Sequence, residues 1–149
     1  MMARFETDFG IDPMQFDLAS ERVGDACIKA IEAAEPIQVE ATKSALRSVI
    51  KGGTGGFVNS IKATKPKKAT NGAFIGHIRP TGTSSTRSDN GKPSKQPVRN
   101  MAIAAYLEYG VAGRQPARPW AQRATNDAQG RVSQTLEQVF TAKMEGMLT

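Results

Sequence analysis

The sequence predicts an α+β fold: a small antiparallel sheet packed against a long N-terminal helix and a C-terminal helix, with a long polar loop. Three observations point there. Apolar residues recur at three- and four-residue steps over two long stretches, one in the first third of the chain and one in the last fifth. Between them, residues 57–79 alternate tolerably in polarity around an Asn71-Gly72 turn. Residues 80–97 (PTGTSSTRSDNGKPSKQP) carry almost no apolar side chain. A chain of 149 residues suits a single domain, 1–149, with residues 1–16 as an N-terminal arm and 80–97 as an extended loop.

The arm is expected to be irregular, with turn signals at Gly10 and Asp12-Pro13. Asp17 or Ser20 can cap the helix that follows, because either side chain accepts a bond from a free first-turn amide. Val23, Cys27, Ala30, Ile31, Ala34, Ala41, Ala45 and Val49 form an amphipathic stripe rich in small residues. Pro36 removes one backbone bond and crowds the preceding turn, which predicts a kink near 32–36 or two abutting helices. The stripe ends at Ile50, and Gly52-Gly53 stops it. Phe57 to Lys65 is predicted extended, with Phe57, Asn59, Ile61 and Ala63 on one face. Ala73 to Arg79 is its antiparallel partner, and Lys62, Lys65, Lys67 and Lys68 surround the tip of the hairpin. The 80–97 loop cannot bury enough surface to offset the entropy of ordering, so it is expected to order only against a neighbour. Val98 to Tyr109 returns to helix, ended by Gly110. Pro119 suits a first helical position, where its missing N–H costs nothing. Residues 119–147 then form the last helix, on a stripe of Trp120, Ala124, Ala128, Val132, Leu136, Val139, Phe140 and Met144. Trp120 is expected in the core.

Charge is distributed unevenly. Residues 1–40 hold nine acids against three bases, and residues 41–107 hold twelve bases against one acid, Asp89. A basic middle favours nucleic acid or an acidic partner, and the acidic first quarter offers such a partner within the same kind of chain. Cys27 is the only cysteine, which fits a reducing compartment, and its place on the stripe makes it a small buried hydrophobe. No apolar run suggests a signal peptide or a membrane span. His77, the only histidine, reads as a surface or interface residue without an obvious nucleophile beside it.

The run Lys51-Gly-Gly-Thr-Gly-Gly56 lacks the terminal Gly-Lys-Ser/Thr of a phosphate loop. No metal-ligand spacing, catalytic triad or nucleophile elbow is present, so neither an enzyme nor a cofactor is expected. The segment from Ala102 to Ala124 looks instead like a rigid corner. It presents Glu108, Tyr109, Arg114 and Arg118 as candidates for subunit contacts, either across a boundary or as an intrachain staple.

The stretch AYLEYGVAGRQPARPW, followed by a helix, resembles the gene-ten-like neck and tail-completion proteins of tailed bacteriophages. The matching positions are Ala105, Glu108, Tyr109, Gly110, Pro116, Ala117, Arg118, Pro119 and Trp120. The layout also fits: a long amphipathic helix, a Gly-containing turn, then an extended hairpin. The acidic stretch before the first helix and the 80–97 loop are both longer than the family pattern. The resemblance implies a non-enzymatic virion subunit, made in the host cytoplasm, that assembles with itself as a hexameric or dodecameric ring. Its neighbours would be connector and tail-tube or tail-terminator proteins, with non-specific contact to DNA in the channel and no membrane. Lys62, Lys65, Lys67 and Lys68 would then line the lumen or meet an acidic partner. The alternative is a basic accessory protein that binds DNA without sequence specificity, and a small hydrolase or nuclease stands third.

Overall fold

The computed structural model describes residues 13–50, 55–84 and 96–148. Helix α1 spans Pro13–Val49, a length of about 55 Å at 1.5 Å per residue. It starts before Asp17 and Ser20, so residues 13–16 belong to the helix rather than to the arm. Proline's fixed φ suits that first position. The rest of the arm lies outside the described residues, as do Gly52-Gly53 and the centre of the polar loop, 85–95. α1 is continuous through Pro36, so two abutting helices do not form. Pro36 is exposed, and the backbone bond it cannot make is lost on the side that water reaches.

A turn of helix, α2 (Gly56–Asn59), replaces the extended backbone expected at Phe57–Asn59. Gly55 enters it at a φ of 77°, and Ser60 closes it, its amide bonding Gly56 and Phe57 carbonyls and its hydroxyl donating to the Phe57 carbonyl. Strand β1 (Ile61–Ala63), β2 (Lys67–Lys68), β3 (Phe74–Ile75) and β4 (Ile78–Pro80) then form the predicted antiparallel hairpin in two short ladders. β1 pairs with β4, placing Lys62 opposite Arg79, and β2 pairs with β3. The turn between β2 and β3 uses Gly72 at a φ of 84°. The polar loop has a feature its composition hid: β5 (Thr83–Ser84) pairs with β6 (Val98–Arg99) and closes its base. Helix α3 spans Asn100–Tyr109 and helix α4 spans Ala121–Leu148. The fold is therefore α+β.

The chain divides into two compact units. The first holds Met1–Ile37, Thr64–His77 and Gly130–Thr149. Its buried side chains are small: Ala26, Cys27, Ala30 and Ala34 on α1, with Ala73 and Val132. Phe74 lies over Gly24, and the backbone at Gly76 comes so close to α1 that a Cβ there would stand 2.9 Å from Ile31 and 2.7 Å from the Glu35 carboxylate. The second unit holds Gln38–Ala63 and Ile78–Gln129. Leu46, Val58, Ile61 and Leu107 form its core, with Ile103, Ile78 and Trp120 packed against them. Asn100 anchors the start of α3: its amide bonds the Gly82 carbonyl and its side-chain nitrogen donates to the Thr81 carbonyl at 2.7 Å.

Candidate functional site

The corner from α3 to α4 is held by four groups within the second unit. α4 begins after Pro119-Trp120, and no Ser, Thr, Asp or Asn precedes it to accept its first free amides. Glu108, at the end of α3, fills that role. One of its carboxylate oxygens accepts the Trp120 amide at 2.8 Å and the Ala121 amide at 3.0 Å. A negative charge at a helix N-terminus also suits the helix dipole.

Arg118 does the converse. Its guanidinium donates to the Val49 carbonyl, the last residue of α1, at 3.2 Å. A cation there matches the negative end of that helix. The Arg118 amide donates to the Leu107 carbonyl. Glu108 and Arg118 thus each cap a different helix of their own chain.

Gly110 and Trp120 complete the corner. Gly110 ends α3 with φ 73° and ψ 178°, a combination that only glycine adopts readily. A Cβ on it would meet the Ala117 nitrogen at 2.7 Å and the Gln115 carbonyl oxygen at 2.8 Å. The return strand of the loop runs that close. Trp120 is partly buried on the core, and its indole N–H donates to the Ala104 carbonyl at 3.0 Å.

Tyr109 and Arg114 differ from these. Tyr109 is 80% exposed. Arg114 is exposed on a tight loop in which the Val111 and Gln115 backbones pair. Both line an open depression with Val111, Ala112, Gln115 and Pro116. The four corner candidates therefore separate by orientation: Glu108 and Arg118 bond within the chain, whereas Tyr109 and Arg114 face outward.

Lys62, Lys65, Lys67 and Lys68 are all exposed along the hairpin, as are His77 and Arg79. None of these side chains makes an ion pair among the described residues. Among the described residues, His77 bonds through its backbone, its amide donating to the Thr64 hydroxyl and its carbonyl accepting the Thr64 amide.

Cys27 is buried, and desolvation pushes its thiol up from the ordinary value. It is therefore poorly suited to act as a nucleophile. Glu35, beneath Gly76, went unnoticed in the sequence. Burial, and secondarily the Glu32 charge, raises its pKa, and one oxygen is buried without a hydrogen-bond partner among the described residues. The only advance sign was a carboxylate between Ala34 and Pro36 on a helix otherwise faced with small residues.

Among the described residues, no group of His, Cys, Asp and Glu could hold a metal ion, and no helix is long and apolar enough to cross a membrane. In comparisons with protein-family models, curated proteins and solved structures, nothing matches this chain.

Proposed function

We propose that this chain is a structural subunit of a phage neck or tail-completion ring, joining the head connector to the tail tube around the DNA channel. The observation that carries the reading is the division of labour in the corner. Every residue of the resemblance motif whose contacts are polar and internal, namely Glu108, Gly110, Arg118 and Trp120, fixes the path of the backbone. Tyr109 is left standing outward on that rigid support with Arg114 nearby. A scaffold that holds one aromatic and one guanidinium toward solvent suits docking between proteins better than turnover of a small molecule. The proposed axial neighbours are connector and tail-tube or tail-terminator proteins, and the proposed location is the virion.

The test is negative-stain electron microscopy of the purified full chain. Closed rings with an opening wide enough for duplex DNA support the proposal. Isolated single chains at every concentration refute it.

One observation favours a second reading, a basic DNA-binding accessory protein. Lys62 and Arg79 stand directly opposite each other on neighbouring strands, where like charges repel. A phosphate backbone would relieve that repulsion. This reading requires a monomer whose affinity for duplex DNA falls steeply as salt rises.

A further inference from the structure

The solvent side of α3 is apolar. Met101, Ala105 and Tyr109 follow one another at four-residue steps and line one strip, with Tyr106 beside it; all four are exposed. Met101, Tyr106 and Tyr109 are the exposed large hydrophobic side chains among the described residues, at 48%, 48% and 80%. Methionine, tyrosine and arginine are the residue types enriched at the centres of protein interfaces. The strip carries a cation at each end: Arg99 immediately before α3 and Arg114 in the depression that follows Tyr109. Both are exposed, and neither makes an ion pair among the described residues. The one acid of α3, Glu108, is committed to the amides of Trp120 and Ala121. The face therefore calls for an occupant in which apolar residues alternate with acids.

The chain contains such a segment. Phe5–Leu18 (FETDFGIDPMQFDL) combines Phe5, Phe9, Ile11, Met14, Phe16 and Leu18 with Glu6, Asp8, Asp12 and Asp17, and has no basic residue. We infer that the exposed face of α3 docks the segment Phe5–Leu18 of a second copy of this chain, with its aromatics on Tyr106 and Tyr109 and its acids on Arg99 and Arg114. The inference rests on the ring reading, since it supplies the contact between neighbouring copies. Such a contact is heterologous, so it propagates from copy to copy and closes when the rotation permits.

The experiment uses the full chain with Tyr109 replaced by the photo-cross-linker p-benzoylphenylalanine, in an equal mixture of ¹⁴N- and ¹⁵N-labelled protein. Irradiation is followed by peptide mass spectrometry, and the assembly state is read from the same sample. Mixed-isotope cross-links from position 109 to residues 5–18 are expected. Rings whose cross-links fall elsewhere overturn the inference and leave the ring reading standing. Cross-links to 5–18 found only within one isotope place the segment on its own chain and overturn the second-copy occupant. A sample that is monomeric without cross-links overturns both.

An independent arm reverses charge. Arg114→Glu weakens self-association about tenfold or more, the scale of a lost interfacial ion pair. Adding Asp8→Arg to that chain restores it. Unchanged association in Arg114→Glu contradicts the ionic part of the contact.

Discussion

Gly110 carries more of the corner than any side chain around it, because two constraints meet there. Its backbone lies in a region that only glycine populates readily, and the Ala117 and Gln115 backbones occupy the space a Cβ would need. Gly110→Ala is expected to destabilise the fold by about 2–3 kcal/mol, read as a lower denaturant midpoint with an unchanged slope. Glu108 has a separable role. Glu108→Ala removes the acceptor for two amides and costs about 1–2 kcal/mol, whereas Glu108→Gln keeps an oxygen there and loses only the charge, about 0.3–1 kcal/mol. Equal losses from both substitutions, by thermal or chemical unfolding, would contradict the capping role. Glu35 makes the fold pH-sensitive in a defined sense. Its folded pKa lies above the ordinary 4.5, so the folded state binds more protons between those two values. Its contribution is fully present below the unfolded pKa and is lost as pH rises through the folded one. Glu35→Gln is therefore expected to stabilise the protein at neutral pH and to flatten its stability profile above pH 4.5.

The elements differ in how far the sequence reveals them. Helix α3 ends where expected and α4 begins within two residues of expectation, since Gly110 and Pro119 punctuate them locally. α1 was legible as a stripe, but its early start and its passage through Pro36 were not. The helix runs through an exposed Pro36, so a local penalty that the sequence alone makes look decisive does not end it. Phe57–Asn59 looked extended because its apolar residues alternate, yet Gly55 turns the chain and Ser60 closes a helical turn. The β5–β6 ladder lay hidden because β5 sits in a segment with almost no apolar residues and β6, Val98–Arg99, was expected to open α3; the pairing is backbone to backbone. The hairpin register, by contrast, gives a charge-pair prediction. Lys62→Glu converts a like pair opposite Arg79 into an opposite one and is expected to stabilise the hairpin by about 0.5 kcal/mol at low salt. The gain should shrink in high salt; destabilisation at low salt would mean that Lys62 is not paired with Arg79.

At the scale of the whole molecule, the sequence marked the corner between α3 and α4 as a built feature but did not reveal its wiring. Glu108 and Arg118 looked like natural partners, ten residues apart and opposite in charge. Instead each serves a helix end whose need is visible only when the chain is folded: α4 lacks a local N-terminal acceptor, and the last carbonyl of α1 lies within reach of Arg118. Tyr109 with Arg114 and, separately, the lysines of the hairpin remain exposed, and the ring proposal depends on them. An acidic first quarter and a basic middle give identical copies complementary charge, which favours ordered encounter over random association. Native mass spectrometry of the full-length wild-type chain tests this most directly. The ring reading predicts a closed species with one discrete copy number, six or twelve, that resists dilution; a monomer across the accessible concentration range would contradict it.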